Sequence, residues 1–158
     1  MHMTLQKHYG RLFDHAGWAN RRVLEALRGI ADETEAVQPK KWFAHVLGAE
    51  RVWLTRLQGK DSSGLAIWPA YNLPECEALV AANAEGYRQF LSGLSDGDFA
   101  REAVYRNSTG TEFRTSIGDI MAHVALHGSY HRGQIASHLR IEDFTPASTD
   151  YILFVREQ

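Results

Sequence analysis

Hydrophobic residues recur every three or four positions along four long stretches of this chain, a spacing that places them on one face of an α-helix. The stretches run from Thr4 to about Ile30, from near Pro39 to Gly59, from Pro74 to Gly93 and from Ser116 to Arg140. Amphipathic helices of this length bury their apolar faces by packing against one another. The pattern therefore predicts an all-α fold, a four-helix bundle.

Lys60–Asn72 connects the second and third of these helices, and its Gly, Ser and Pro residues predict a loop. It also carries Leu65, Ile67, Trp68 and Tyr71, which make it too apolar for a free linker. We expect this loop to pack against the bundle.

Two shorter elements are predicted in the second half of the chain. Glu102–Tyr105 and Glu112–Arg114 flank a polar turn and predict a short β-hairpin before the fourth helix. Near the C-terminus, Ser148 or Thr149 is expected to cap a short helix that runs through Val155.

Composition narrows the class of protein. The chain has 158 residues, 44% hydrophobic and 23% charged, with a formal net charge of −2, which favours one domain over residues 1–158. Its basic residues are scattered, so no nucleic-acid partner is expected. Charges interrupt every apolar segment and no secretory leader is evident, so no membrane partner is expected. A single cysteine, Cys76, rules out an intramolecular disulfide and favours a reducing, cytoplasmic location.

The fourth predicted helix carries histidines where aliphatic residues would continue its apolar stripe. His127 and His131 lie one turn apart on the same face, with Cβ atoms roughly 6 Å apart. Two imidazoles at this spacing can share one divalent cation. His123 lies one turn earlier, so the chelating pair is either His123 with His127 or His127 with His131.

His45, on the second helix, is the candidate third ligand. If the second helix packs beside the fourth, three nitrogens converge and leave open positions, as in a catalytic rather than a closed structural metal site. The same histidines also fit a buried, hydrogen-bonded cluster without metal. The remaining histidines are expected to lie outside the site, with His15 as a reserve ligand: His2, His8, His15 and His138.

Two common metal sites are excluded by the sequence. Zinc proteases of the His-Glu-x-x-His type need a glutamate after the first histidine, and that position is Gly128. Di-iron bundles need Glu-x-x-His pairs, whereas Glu50 is followed at that spacing by Trp53. One metal ion is the better prediction.

Several residues near the histidines are candidates for supporting roles. Glu50 can accept a hydrogen bond from an imidazole or form an exposed salt bridge. Gln134 and Tyr130 can orient a bound group or serve in packing. Arg132 is expected to form an ion pair between its helix and a loop. Cys76 continues an apolar stripe, which favours a buried, inert thiol over a reactive one.

Four motifs carry a family resemblance. His45–Leu54, His123–Gln134, Trp18–Asn20 and Thr149–Ile152 resemble motifs of the DinB/YfiT-like metalloenzyme superfamily. They extend over nearly the whole chain, and the His-x-x-x-His-Arg-Gly-Gln run is the most specific. The resemblance implies a four-helix bundle with an up-down-down-up course that is often a homodimer.

The resemblance also implies one divalent metal ion held by three histidines, at positions that match His45, His127 and His131, with His123 as a neighbour. Members with an assigned activity include transferases and isomerases that use low-molecular-weight thiols such as bacillithiol, mycothiol or glutathione. We therefore expect a metal-dependent enzyme acting on a small molecule, with thiol S-transfer favoured. The alternatives are a metal-dependent hydrolase and a non-catalytic, metal-binding stress-response protein.

A cation held by three neutral imidazoles keeps its full charge, so it can deprotonate a coordinated thiol or water near neutral pH. Three nitrogen ligands suit Zn²⁺, Ni²⁺ and Fe²⁺ alike. The residues therefore predict a metal site without selecting the metal or the substrate, and they assign no catalytic side chain.

Overall fold

A computed structural model describes residues 3–158 and is mostly helical. Its elements, in chain order, are α1 (Leu5–Arg28), α2 (Val37–Leu57), α3 (Leu73–Ser92), a short 3₁₀ helix (Asp96–Ala100), β1 (Glu102–Arg106), β2 (Glu112–Ser116), α4 (Ile117–Ile141) and α5 (Tyr151–Arg156). The predicted all-α bundle is confirmed. None of the helices in this part of the chain combines the length and the apolar character that a membrane crossing needs.

Side chains just before α1, α3 and α4 accept hydrogen bonds from backbone N–H groups in the first turns of these helices. Asn72 and Glu75 form a reciprocal capping box at α3. Ser116 accepts a hydrogen bond from the backbone of Asp119 at 3.1 Å, as its position in the sequence predicts. The predicted cap of α5 at Ser148 or Thr149 is wrong, because the residue before this helix is Asp150, whose side chain forms no capping hydrogen bond.

Helices α2 and α3 run parallel. The Asn83 side chain donates to the Leu47 carbonyl oxygen at 3.0 Å, and further along both helices Gly86 lies against the side chain of Leu54. Parallel neighbours need a connection that returns along the bundle, and residues 58–72 form it.

Helix α4 runs antiparallel to α2. The ring of Trp42, early in α2, meets His138 near the end of α4 with 5.3 Å between centroids. The ring of Trp53, late in α2, meets His123 early in α4 at 5.2 Å. This pairing places the middle of α2 opposite the middle of α4.

Helix α1 runs antiparallel to α3. The Gln6 amide donates to the Leu91 carbonyl at 3.0 Å, and Arg28, at the other end of α1, pairs with Glu77. With α2 and α3 parallel and α4 opposed to α2, the course of the four helices is up-down-down-up.

The predicted hairpin is confirmed, and it is one or two residues longer than expected. The two strands pair antiparallel from Glu102 opposite Ser116 to Arg106 opposite Glu112. The hairpin packs on α2 through Tyr105, whose ring meets Trp53 at 5.1 Å between centroids. It therefore covers the C-terminal half of α2.

The core consists of two hydrophobic clusters. The first includes Phe13, Leu54, Tyr87, Ile120 and Met121. The second includes Leu27, Phe43, Leu47, Ile135 and Leu139. The two clusters lie at successive levels along the bundle, and each long helix contributes residues to both.

The loop at residues 60–72 packs on α2, as its apolar residues predict. Pro69 lies so close to Gly48 that a Cβ on this glycine would be 2.8 Å from the proline ring. Glycine at position 48 therefore lets the loop approach the helix. Leu65 and Ile67 are partly buried, whereas Trp68 is 59% exposed.

Gly48→Ala should destabilise the protein by about 1–3 kcal/mol, because the added methyl overlaps a rigid proline ring. Gly10→Ala is the matched control, since a Cβ there meets nothing within 4 Å. That change should stabilise α1 by up to about 1 kcal/mol. Urea unfolding measures both, and equal stability of the two variants would contradict the close approach.

Candidate metal centre

Three histidines from two helices converge between α2 and α4. The Nε2 atoms of His45 and His127 are 3.1 Å apart. Each of His45, His127 and His131 offers one donor nitrogen, and these atoms all lie within 4.8 Å of one another. The antiparallel pairing of α2 and α4 brings the histidines together, since His45 lies opposite the turn that carries the other two.

Hydrogen bonds fix the proton position on two of the three rings. The Nδ1 atom of His45 lies 2.6 Å from the Ile67 carbonyl oxygen, which can only accept. The Nδ1 atom of His131 lies 2.6 Å from the amide oxygen of Gln134. Both rings therefore carry their proton on Nδ1 and keep a lone pair on Nε2, the form in which histidine binds metals.

The spacing of these nitrogens fits a shared ion. Metal–nitrogen bonds of about 2.0–2.1 Å at tetrahedral or right angles separate neighbouring ligand atoms by about 2.8–3.4 Å. The measured 3.1 Å between the Nε2 atoms of His45 and His127 lies in that range. The three rings could therefore hold one divalent cation.

Burial favours the neutral form of two of these rings, His45 and His127. Burial, followed by the proximity of His131, His45 and His123, lowers the pKa of His127 to about 4. Burial also lowers the pKa of His45 below its usual value. Neutral imidazoles have a free lone pair, so ligand nitrogens are available at neutral pH without competition from protons.

Aromatic side chains form the rim of the cluster. The Trp68 ring stacks on His45 with 3.7 Å between centroids and 7° between planes. Tyr130 meets His131 edge to face at 5.2 Å and is 65% exposed. The cluster is thus enclosed on the protein side and bordered by exposed aromatic surface where a small molecule can approach.

The structure separates the remaining histidines from the cluster. His123 is exposed and packs its ring against Trp53 rather than joining the three converging nitrogens. His15, the reserve ligand, instead bonds the Thr149 carbonyl oxygen at 2.7 Å and ties the C-terminal segment to α1. His138 pairs with Glu142 at 3.1 Å. His2 lies outside the described residues.

Both roles considered for Glu50 are wrong. It is only 6% exposed and bonds two asparagines rather than an imidazole, with Asn20 at 2.8 Å and Asn83 at 3.0 Å. The expected ion pair of Arg132 with a loop is also wrong. This side chain is 2% exposed and donates to the Asn20 amide oxygen at 3.0 Å.

These four residues form a buried polar layer, one residue from each long helix: Asn20, Glu50, Asn83 and Arg132. Burial raises the pKa of Glu50, while Asn20, Arg132 and Asn83 act in the opposite direction. Burial lowers the pKa of Arg132, and Glu50 opposes that shift. Asn20 and Asn83 each interrupt the apolar stripe of a helix. A buried amide needs a polar partner, so this pattern in the sequence could have indicated the polar layer.

Cys76 is 1% exposed, and burial raises the pKa of its thiol to about 11. A thiol with this pKa is protonated at neutral pH, so it is a poor nucleophile. The expected burial of Cys76 is confirmed.

The fold and the site together define a class of protein, a helical bundle with three histidines placed to share one ion between two antiparallel helices. The chain belongs to the DinB family, whose profile it matches over residues 1–158. Among curated proteins it is similar to Protein DinB of Bacillus subtilis (strain 168). The two sequences are 26% identical over an alignment of 160 residues, which covers 92% of this chain and 92% of that protein.

Glu50→Ala should lower the free energy of unfolding by about 3–5 kcal/mol, because it leaves Arg132 buried without a carboxylate. A double variant that also replaces Arg132 with Met should be less destabilised than the two single changes summed. Glu85→Ala is the control, since this exposed glutamate pairs only on the surface of α3. Urea unfolding measures all four proteins, and additive losses would contradict coupling through the polar layer.

The lowered pKa of His127 predicts acid destabilisation of protein stripped of metal. Between pH 6.5, where an unfolded histidine titrates, and about 4, where His127 titrates in the folded chain, only the unfolded state binds the extra proton. The free energy of unfolding should therefore fall as the pH is lowered through this window.

His127→Gln should make that fall shallower, whereas His8→Gln, at an exposed position, should leave it as in the parent. Urea unfolding at half-unit steps from pH 4 to 7 measures the slopes. Identical slopes in the three proteins would contradict the burial of a neutral His127.

Proposed function

We propose that this protein is an enzyme that binds one divalent metal ion through His45, His127 and His131 and transfers a low-molecular-weight thiol to a small electrophile. The observation that carries the proposal is the convergence of three donor nitrogens within 4.8 Å. Two of these rings are held with their Nε2 lone pairs free by bonds to Ile67 and Gln134.

A bound divalent cation would lower the pKa of a thiol or water at an open position. The protein's contribution is to keep the donor set neutral. The group found among residues 3–158 contains histidines and neither a carboxylate nor a thiolate. The charge of the ion would therefore stay uncompensated by its protein ligands, which favours an anionic nucleophile at the site.

The surroundings of the cluster suit an organic substrate. Trp68 and Tyr130 present exposed ring surfaces beside His45 and His131, against which an apolar group can pack. We further propose that the protein acts in the cytoplasm, where small thiols are abundant and the buried Cys76 stays reduced, and that it forms a homodimer. Zn²⁺, Ni²⁺ and Fe²⁺ are all compatible with three nitrogen ligands.

Tag-free protein, purified without a metal-chelating column, should contain close to one divalent ion per chain by elemental analysis. His127→Ala and His131→Ala should each lose most of it, because two nitrogens bind far more weakly than three. His138→Ala, a histidine on the same helix outside the cluster, is the control. Equal metal content in the parent and both site variants would overturn the metal site.

Metal-loaded protein is then incubated with an electrophile such as monochlorobimane and a panel of glutathione, bacillithiol and mycothiol. Thiol consumption should exceed that of His45→Ala by at least about a hundredfold, as expected when an activating ion is lost. Hydrolysis of an ester without thiol consumption would make the protein a hydrolase. Absence of both reactions in metal-loaded protein would leave a non-catalytic metal binder.

A further inference from the structure

A concave region lies next to the histidine cluster, between the C-terminal half of α2, the following loop and the β-hairpin. This hairpin groove has a volume of about 720 Å³ and is lined by, among others, Val52, Arg56, Ser62, Ile67, Tyr105 and Arg106. Ile67 also accepts the hydrogen bond from His45. The groove and the histidine cluster therefore share one residue of the loop.

Arg56 is buried in the wall of this groove and is only 8% exposed. Its guanidinium lies between two aromatic rings, 4.7 Å from the centroid of Trp53 and 5.0 Å from that of Tyr105. Its Nε donates to the hydroxyl of Ser62 at 3.1 Å. Three neighbours thus hold the plane of the guanidinium in one orientation.

No carboxylate within residues 3–158 forms an ion pair with Arg56. Its terminal nitrogens have no hydrogen-bond acceptor in this part of the chain and are not sealed from solvent. Arg132, the other deeply buried arginine, has Glu50 within its polar layer. Burying a cation without a counter-ion costs free energy. Because Arg56 has no counter-ion in this part of the chain, we expect an anion from outside the chain to pair with it.

The acidic residues of the groove are already engaged. Glu112 lies 3.9 Å from Arg106 across the hairpin. Asp61 accepts hydrogen bonds from the backbone and the hydroxyl of Ser63. Neither carboxylate reaches Arg56, and Lys60 adds another positive charge to the lining.

We propose that the hairpin groove is a binding site for the carboxylate of a small molecule, with Arg56 as the residue that recognises it. A planar guanidinium with two free terminal nitrogens matches a carboxylate in a two-point hydrogen-bonded pair. Phosphate is the weaker fit, because Arg56 is the one buried cation of the groove lining, whereas Lys60 and Arg106 are exposed, so a doubly charged group would stay partly unneutralised. This site goes beyond the proposed function and does not require a metal ion.

The position of the groove relates it to the histidines. Arg56 follows His45 by three turns of α2, about 16 Å along the helix axis. An elongated molecule with its carboxylate at Arg56 therefore extends along Ile67 towards the cluster. On the proposed function, this groove selects acidic thiols or acidic electrophiles over neutral ones.

The test uses nitrogen-15-labelled protein stripped of metal on a chelating resin, in Tris chloride at constant ionic strength. Succinate, inorganic phosphate and uncharged succinamide are titrated separately, and the Nε–H signal of Arg56 and the indole signal of Trp53 are followed. Because the metal has been removed, binding of carboxylates to an ion cannot contribute. Failure of the metal proposal thus leaves this result unaffected.

Succinate should shift both signals saturably, and succinamide should not. Arg56→Gln should weaken succinate binding about tenfold or more, as expected for loss of a charge-assisted pair. Arg56→Lys keeps the charge without the two-point geometry and should bind with intermediate affinity. Arg51→Gln, at an exposed position on the same helix, should bind as the parent does.

No saturable shift with succinate in the parent protein would overturn the proposal, and this reading does not depend on any variant folding. Tighter binding of phosphate than of succinate would also overturn it. The same holds if folded Arg56→Gln, checked by circular dichroism, binds succinate with the parent's affinity.

Discussion

The buried polar layer of Asn20, Glu50, Asn83 and Arg132 is the constraint on which the arrangement of this bundle depends. Apolar side chains pack in many registers at similar cost, whereas a buried carboxylate and guanidinium need specific hydrogen-bond partners. The amide of Asn20 joins the two, because it donates to Glu50 and accepts from Arg132. One residue from each long helix takes part, so a shift of any helix would break at least one of these bonds.

This layer also explains how the histidines come to face one another. Arg132 follows His131 directly, and Glu50 is five residues after His45 on α2. Fixing Glu50 and Arg132 across the core therefore fixes the relative height of α2 and α4 at the level of the cluster. Tyr87 adds a bond from α3 to the Glu50 backbone carbonyl at 2.7 Å. The geometry of the three histidines is thus supported by bonds that do not involve their own rings.

Three sets of buried polar side chains are stabilised in three different ways: Glu50 with Arg132, the histidine cluster, and Arg56. Glu50 and Arg132 share hydrogen bonds with amides within the chain. His45 and His127 of the cluster favour the neutral form, because burial lowers the pKa of both rings. Arg56 stays charged between two aromatic rings and lacks a carboxylate within residues 3–158. The first arrangement pairs both charged groups with amides of the chain and leaves only the Nε of Arg132 without a partner, whereas the other two leave a lone pair or a charge that a ligand can meet.

Local pattern in the sequence determined the helices, the hairpin and the three histidines as candidates, because helical periodicity and the one-turn spacing of His127 and His131 act over short distances. Even the Ser116 cap follows from neighbouring residues. The local sequence pattern could not decide between the two possible histidine pairs, nor identify the partners of Glu50 and Arg132. Both depend on which helices pack side by side and at what relative height. Only the tertiary structure placed His45 opposite His127 and buried Asn20 and Asn83 together with Glu50 and Arg132. It also placed Arg56 in the wall of a groove. Such contacts join residues up to 112 positions apart, and no periodicity within one helix encodes them.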